Sequence, residues 1–303
     1  MGHFRTFPEI VQVLSAARRI LVLTHNDPDG DALGSELLLS RGLRSIGKET
    51  RIINVGMLPS MYAFMLRPGE AEYYARGGPF PTDIEADLMV GVDFNDWGRL
   101  LGFSDVLAAK VISSMLIDHH PTQVPIADHT YIDTSASSTG TIVWDILLSL
   151  GVRPDASMAE PAYVSLITDT GHFRFSNTDP RAHRMASTFL ELGVDPAQVN
   201  RHIFESSSLG RLRLMAKLIT EMRVECRGKL AWIAVSKRDL EEHGLKSIDT
   251  EGYMDVLRTL GTLEVGLMFK EMENGQVRVS MRSKGSFDLN QFAQGFGGGG
   301  HPV

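Results

Sequence analysis

Short apolar runs alternate with stretches of helical periodicity along the first half of the chain. The predicted strands are residues 20–24, 51–55, 88–92, 115–117 and 131–132. Helices are predicted over residues 32–43, 138–150 and 158–167. Because strands that alternate with helices are joined by right-handed crossovers, this pattern predicts an α/β fold with a doubly wound, mainly parallel sheet.

The second half of the chain has a different pattern. Residues 179–222 are helical and charged, and we interpret them as a linker region that ends in a helix over 209–222. The elements predicted beyond it are a strand at 230–235, a helix at 249–260 and strands at 263–273 and 276–284. The last two strands flank Asn274-Gly275, a strong hairpin signal. We therefore expect a domain of residues 1–208 and a smaller α+β domain of residues 223–303.

Alternation within the last predicted strand indicates which of its residues share a face. Val277, Val279 and Met281 alternate with the polar residues Gln276, Arg278 and Ser280. Such alternation is typical of a strand with one buried face. The sequence therefore predicts that the two valines and the methionine are buried.

Composition and charge exclude several classes of protein. Of 303 residues, 43% are apolar and 22% are charged, as in ordinary globular chains. The 30 basic and 37 acidic residues give a net charge of −7, which disfavours a long nucleic-acid groove and hence a DNA exonuclease of long substrates. Cys226 is the single cysteine, so an internal disulfide and a cysteine zinc cluster are excluded. With neither a membrane span nor a secretory signal in the pattern, we expect a cytoplasmic protein without a membrane partner.

Ligand-type side chains follow the predicted strands at their carboxyl ends, where doubly wound sheets form their sites. They are His25, Asp29 and Asp31 after the first strand, Asp93 after the third, Asp118, His119 and His120 after the fourth, and Asp169 after the helix that ends at residue 167. A polar loop with Asp31 capping the next helix explains the first group when it is taken alone. Four such endings favour one shared site.

The residue types at these endings indicate a metal site. Carboxylates mixed with imidazoles, and without thiolates, suit Mn²⁺ or a similar octahedral ion. Asp29, Asp31, Asp93 and Asp169 carry four negative charges, which two divalent cations would cancel. Two such ions ~4 Å apart activate a hydroxide and clamp a phosphoryl group. The pattern therefore predicts two-metal hydrolysis of a phosphoester.

In their order and spacing these residues resemble the four motifs of the DHH phosphoesterases. The resemblance is carried by His25-x-x-x-Asp29-x-Asp31, Asp93, Asp118-His119-His120 and Asp169. Near the C-terminus, Arg282-Ser283 and Gly297-Gly298-Gly299-Gly300-His301 resemble the signature of the DHH-associated substrate domain. The size and short linker are similar to the nanoRNase branch. This implies hydrolysis of short oligoribonucleotides and of adenosine 3′,5′-bisphosphate (pAp).

The resemblance also implies a role for each residue of the first domain. His25 and Asp29 would hold one Mn²⁺, and Asp31, His119 and Asp169 the other, with Asp93 bridging; Mg²⁺ and Co²⁺ are the alternative ions. His120 is expected near the substrate phosphate as a catalytic residue. Because neighbouring residues of a strand point in opposite directions, we expect that His119 and His120 do not serve one ion. Asp118 is expected to orient a histidine, with a cap or a buried acceptor as the alternative.

In the second domain the resemblance implies a substrate pocket. Its expected members are Arg282, Ser283, Gly297, Gly298, Gly299, Gly300 and His301. An arginine suits bidentate phosphate binding, and bare backbone N–H groups approach anions closely. A flexible tail is the alternative for the glycines. Family members continue with an alanine-rich segment and a final strand, whereas this sequence stops at Val303, so we expect either that the sequence has lost its end or that the second domain is incomplete.

Several alternatives stay open at this point. Arg99 and Arg174 are either phosphate contacts or solubilising residues, and Ser138 or Thr139 is more simply explained as a helix N-cap. Cyclic or linear dinucleotides are the alternative substrates for the same fold. A nucleotide-binding module without catalysis is the alternative of another class. A homodimer through the first domain is also left open.

Overall fold

The computed structural model describes residues 2–26, 28–75, 78–81, 83–100, 113–246, 250, 252–272, 274–285, 287–296 and 298. The chain divides into two compact units, Met1–Glu205 and Ser206–Val303. Within the described ranges, none of the helices combines the length and the apolar character needed to cross a bilayer.

Six parallel strands form the centre of the first unit. They are β1 (Arg19–Leu23), β2 (Glu49–Val55), β3 (Ala71–Tyr74), β4 (Leu88–Val92), β5 (Ser114–Asp118) and β6 (His129–Ile132). Their order in the sheet is β3-β2-β1-β4-β5-β6, which confirms the predicted parallel sheet. Because chain order reverses between β1 and β4, a crevice opens at the carboxyl ends of these two strands. The edge strand β3 was not predicted, since its four half-buried residues form no apolar run.

Helices cover the sheet. Within the described residues of the first unit they are α1 (Phe7–Ala16), α2 (Gly30–Ser45), α3 (Thr139–Ser149), α4 (Ala156–Asp169), α5 (Pro180–Glu191) and α6 (Pro196–Phe204), with 3-10 turns at Ser60–Met65 and Trp97–Leu100. Strand alternation supplies a core on each face of the sheet. Val22 of β1 packs in the larger core with α2 and α4, while Leu21 and Leu23 pack in the smaller core on the other side.

The second unit is a smaller α+β assembly, as predicted. Its strands are β7 (Arg223–Glu225), β8 (Leu230–Val235), β9 (Val265–Glu271) and β10 (Val277–Ser283), in the order β10-β9-β8-β7. Its helices are α7 (Leu209–Glu221), α8 (Lys237–Glu242), α9 (Tyr253–Arg258) and α10 (Leu289–Gln294), with a 3-10 turn at Cys226–Gly228. The residues interpreted as a linker are shared between the units, since α5 and α6 lie in the first and α7 in the second.

The hairpin predicted at Asn274-Gly275 is present, with β9 and β10 antiparallel and Gly275 at φ 78°. The predicted burial of Val277 and Val279 is wrong, because these side chains are 58% and 45% exposed and Met281 is only half-buried. Alternation tells which residues share a face of a strand, but not whether that face is covered. β10 is an edge strand of its sheet, and only its last residue, Ser283, is buried.

Candidate metal centre

The carboxyl ends of three neighbouring strands bring the first ligand-type residues together. β1, β4 and β5 are adjacent and parallel; Asp93 and His119 directly follow β4 and β5, and His25 follows β1 after Thr24. His25 Nε2 lies 3.8 Å from Asp93 Oδ2, and His119 Nε2 lies 3.9 Å from Asp93 Oδ1. Asp93 has φ 63°, a left-handed conformation that costs a residue with a side chain about 1–3 kcal/mol. A strained, buried carboxylate therefore stands between two imidazoles.

The start of α2 places two further carboxylates. Asp29 is the N-cap of α2, and its Oδ1 accepts hydrogen bonds from the backbone N–H groups of Asp31 and Ala32, each at 3.1 Å. The cap is therefore Asp29 and not Asp31. A Cβ on Gly30 would lie 2.5 Å from the side chain of Thr168, so glycine allows the start of α2 to approach the end of α4.

This close approach of α2 and α4 completes a second group of ligand-type atoms. Asp31 Oδ2 and Asp169 Oδ2 each lie 3.6 Å from His119 Nε2. Among the described residues, three groups have all their ligand atoms within 4.8 Å of one another. Two of them, which we call the two ligand groups, are His25 with Asp29 and Asp93, and Asp31 with His119 and Asp169. The third joins Asp93 and His119 to Asp118 and His120. The structure thus brings all six predicted metal ligands to one edge of the sheet.

The histidine tautomers test whether these groups suit a cation. His25 Nδ1 lies 2.7 Å from the carbonyl oxygen of Asn26, and His119 Nδ1 lies 3.2 Å from that of Ala136. Because a carbonyl oxygen only accepts, each Nδ1 is the donor, and in the neutral imidazole each Nε2 then turns its lone pair toward the carboxylates. Lone pairs and anionic oxygens repel unless a cation lies between them. The residues therefore fit divalent metal ions.

The pKa shifts in the site have the same physical origin. Burial, followed by the charges of Asp31 and Asp29, raises the pKa of Asp93 well above its usual range. Burial raises the pKa of Asp169 to about 7 despite the opposing charge of His119. Burial and the nearby Arg99 charge lower the pKa of His25 to about 4, which keeps its imidazole neutral, as a metal ligand requires. A bound cation would offset the cost of ionising Asp93.

Hydrogen-bond donors that sequence reasoning missed surround Asp31. Its Oδ1 accepts from Ser35 Oγ at 3.0 Å, Ser165 Oγ at 2.6 Å and the Gly140 backbone N–H at 3.1 Å. Its Oδ2 accepts from the Thr139 backbone N–H at 2.8 Å. Helical spacing is the sequence signal that could have identified the two serines. Ser35 lies four residues after Asp31 in α2, and Ser165 lies four residues before Asp169 in α4, so each serine shares a helix face with a ligand-type carboxylate.

The start of α3 carries both a cap and a contact to the site. Ser138 is the N-cap, and its side chain accepts from the backbone N–H of Thr141, as the capping interpretation predicts. Thr139 does more than the sequence indicated, because its Oγ1 donates to Asp93 Oδ1 at 3.0 Å. Similarly, Asn177 Nδ2 donates to Asp169 Oδ2 at 3.0 Å.

Asp118 and the paired histidines form the rim of the centre. Asp118 Oδ1 accepts from His120 Nδ1 at 2.8 Å and from the backbone N–H of His119 at 2.7 Å. Burial alone would lower the pKa of His120, but the Asp118 charge and hydrogen bond outweigh it and raise that pKa to about 9. The predicted divergence of His119 and His120 is wrong, since their ring centroids lie 4.7 Å apart and both reach Asp93 Oδ1. β5 ends at Asp118, so strand alternation does not extend to them.

Arg99 and Arg174 are the two arginines for which the sequence leaves a phosphate contact open. Arg99 lies at the site, where its carbonyl oxygen accepts a hydrogen bond from the Asn26 backbone N–H at 3.0 Å. After burial, the positive charge of Arg99 is the second largest cause of the lowered pKa of His25. Arg174 Nε donates to the carbonyl oxygen of Gly171 at 2.5 Å. The structure therefore brings Arg99 to the ligand groups, whereas Arg174 holds its own turn.

The residues predicted to bind substrate in the second unit are only partly described. Arg282 is exposed at the end of β10, and Ser283 is buried with its Oγ accepting from the Gly285 backbone N–H at 3.1 Å. The Gly298 backbone N–H donates to the carbonyl oxygen of Ala293 at 2.9 Å. The remaining members, Gly297, Gly299, Gly300 and His301, lie outside the described residues.

The chain resembles known proteins both in sequence and in fold. The family model described as the N-terminal domain of the DHH family matches residues 19–168. The chain is 32% identical over 294 residues to the bifunctional oligoribonuclease and PAP phosphatase NrnA of Thermus thermophilus, covering 96% of this chain and 85% of that protein. For the Bacillus subtilis protein of the same name, identity is 26% over 298 residues, covering 97% and 90%. A crystal structure of an exopolyphosphatase-related protein from Bacteroides fragilis matches with a TM-score of 0.85 and 26% identity, covering 98% of this chain and 88% of that one.

Proposed function

Because the chain belongs to the DHH family of phosphoesterases and is a hydrolase of phosphoester bonds, we propose that it degrades short oligoribonucleotides to mononucleotides and removes a phosphate from pAp. The observation that carries the chemistry is the junction of the two ligand groups at Asp93. The substrates are supported by the names of relatives that match almost the whole chain.

The metal assignment is part of this proposal. His25, Asp29 and Asp93 would hold one divalent ion, and Asp31, His119 and Asp169 the other, with Asp93 shared between them. Mn²⁺ suits this mixture of carboxylate and imidazole, and Mg²⁺ or Co²⁺ are the alternatives. When bound, such ions lower the pKa of a water and neutralise phosphoryl charge.

The protein's own residues orient the substrate and move the proton. Asp118 holds the His120 ring by a 2.8 Å hydrogen bond and keeps it protonated. His120 then donates a proton to the oxygen that leaves phosphorus, while the attacking water forms the new P–O bond and releases a proton that restores the protonated His120 for the next turnover. Arg99, beside His25, contacts the non-bridging phosphate oxygens.

The second unit is proposed to select short substrates. Arg282, Ser283, Gly297, Gly298, Gly299, Gly300 and His301 would hold the terminal phosphate or base. Arg282 is exposed, and its Nη1 donates to the carbonyl oxygen of Met281 at 3.0 Å, whereas Ser283 supports the turn after β10. The net charge of −7 supports local phosphate recognition over a groove for long RNA.

The test compares four substrates in the presence of Mn²⁺. They are a 5′-phosphorylated adenosine dinucleotide, a long single-stranded RNA, cyclic di-AMP and pAp. We expect cleavage of the dinucleotide and phosphate release from pAp, with the long RNA nearly untouched. Preference for cyclic di-AMP would contradict the proposed substrates without contradicting the proposed metal centre. Absence of both turnover and bound metal would overturn the mechanism.

A further inference from the structure

Glu36 is a buried carboxyl group of the first unit that lies outside the two ligand groups. Glu36 of α2 is fully buried, and its Oε1 accepts a hydrogen bond from Asn54 Nδ2 at 2.7 Å. Asn54 lies on β2 and is itself 1% exposed. Burial raises the pKa of Glu36 to about 8. Burying an acidic side chain between a helix and a sheet is costly unless it is hydrogen-bonded.

The hydrogen bonds continue from Asn54 to the edge of the sheet that carries the ligands. Asn54 Oδ1 accepts from the backbone N–H of Thr24 at 3.3 Å, and Thr24 Oγ1 donates to the carbonyl oxygen of Val92 at 2.8 Å. Thr24 directly precedes His25, and Val92 directly precedes Asp93. A buried chain of hydrogen bonds thus runs from α2 through β2 and β1 to β4.

The direction of each hydrogen bond in this chain is fixed by chemistry. The Thr24 backbone N–H can only donate, so the oxygen of Asn54 faces it and the amide nitrogen faces Glu36. The side chain at position 36 must therefore accept. Main-chain pairing of β1 with β2 extends to Val22 and Ile52, and the Asn54 side chain takes over where β1 ends.

We propose that Glu36, acting through Asn54 and Thr24, is a positioning residue that fixes the spacing between His25 and Asp93. His25 Nε2 and Asp93 Oδ2 are 3.8 Å apart and belong to the same ligand group. The link to metal affinity rests on the proposed function, in which that group holds a metal ion. The hydrogen-bonded chain itself does not depend on the metal.

The experiment compares three variants of the full chain with the unchanged protein. Glu36→Leu removes the acceptor, Glu36→Gln keeps it, and Ser40→Ala is the matched control. Ser40 lies one turn further along α2, and its Oγ is 2.6 Å from Thr50 Oγ1, near the opposite end of β2. Hydrogen exchange of the Thr24 and His25 amides is measured without metal, and Mn²⁺ binding is measured by equilibrium dialysis.

In Glu36→Leu we expect exchange at Thr24 to accelerate at least about tenfold and Mn²⁺ binding at one of two sites to weaken about tenfold. Glu36→Gln and Ser40→Ala should match the unchanged protein. Thr24→Val, which removes the hydroxyl and keeps the volume, should weaken Mn²⁺ binding at the same site. This variant tests the inference if Glu36→Leu does not fold.

Unchanged exchange and unchanged affinity in Glu36→Leu would overturn the inference. Equal losses in Glu36→Leu and Ser40→Ala would also overturn it, because they would show a general effect on helix packing. If the unchanged protein binds no Mn²⁺, the proposed function fails instead, and the exchange rates still decide whether Glu36 holds Thr24 in place.

Discussion

The hydroxyl of Thr139 donates a hydrogen bond to Asp93 Oδ1 at 3.0 Å, which joins the start of α3 to the end of β4. The backbone N–H of the same threonine donates to Asp31 Oδ2 at 2.8 Å. Asp93 and Asp31 belong to different ligand groups. One residue therefore orients a carboxylate of each group, and the positive end of α3 favours the negative charge of both.

Replacing Thr139 by valine removes the hydroxyl and keeps both the volume and the backbone N–H. Because the orientation of Asp93 loosens, we expect Mn²⁺ affinity and kcat to fall about tenfold. The free energy of unfolding should fall by about 1 kcal/mol. Equilibrium dialysis, steady-state kinetics and urea unfolding measure the three quantities.

Thr141→Val is the matched control on the same helix. Thr141 is buried, and its Oγ1 donates to the carbonyl oxygen of Ser138 at 2.7 Å rather than to a carboxylate of the two ligand groups. It should lose stability and keep Mn²⁺ affinity. Equal losses of affinity in the two variants would contradict the role given to Thr139.

Asp93→Asn should abolish turnover of both the dinucleotide and pAp. Asp93 stands between His25 and His119, so its charge serves both ligand groups. Metal analysis should find fewer than two Mn²⁺ per chain. With EDTA present the same variant should be more stable than the unchanged protein, because burial and like charges disfavour the ionised carboxylate. Substantial activity in Asp93→Asn would refute the shared ligand.

Asp118→Asn should lower kcat roughly 100-fold and leave the Mn²⁺ content unchanged, since Asp118 holds His120 and keeps it protonated. The loss should shrink for a nitrophenyl ester of a nucleotide, because a good leaving group needs little help from a proton. The comparison of the two substrates is the measurement. A loss of equal size on both would argue against proton donation by His120.

Arg282→Ala should raise KM for pAp about tenfold with kcat and Mn²⁺ content nearly unchanged, since one charged contact to phosphate is worth about 1.5–3 kcal/mol. Arg278, on the same face of β10, provides the control variant Arg278→Ala, which should leave KM near its original value. If KM stays constant in Arg282→Ala, the substrate role of Arg282 is wrong.

Much of the first unit could be predicted because several of its strands are apolar runs, and charged or ligand-type residues follow β1, β4 and β5. β4 is entirely buried and is followed at once by Asp93, so pattern and chemistry coincide there. β3 and the exposure of Val277 and Val279 could not be predicted in this way, since they depend on which neighbour covers a strand face.

The contacts that support the ligands were harder to foresee. Thr139 lies 46 residues from Asp93, so only the folded chain shows that its hydroxyl reaches the carboxylate. Glu36 of α2 belongs to no motif, and its partner Asn54 lies on β2, 18 residues further along the chain. Sequence reasoning identified the residues with metal-binding chemistry, whereas the residues that orient them depend on long-range packing.

Glu36→Gln should change how stability depends on pH. The pKa of Glu36 is about 8 in the folded chain and returns to its ordinary value of 4.5 on unfolding. Between these values the unfolded chain releases a proton that the folded chain retains. The stability that protonated Glu36 contributes is therefore fully present below pH 4.5 and is lost as pH rises towards 8. The loss is about 1.4 kcal/mol per pH unit.

Between pH 5 and 7.5 the unchanged protein should lose about 3 kcal/mol more stability than Glu36→Gln. Urea unfolding with EDTA present measures this difference without a contribution from bound metal. Glutamine keeps the acceptor for Asn54, so the hydrogen-bonded chain to Thr24 is preserved while the titration is removed. Parallel stability curves for the two proteins would show that Glu36 ionises freely in the folded state, and that its burial beside Asn54 is incomplete.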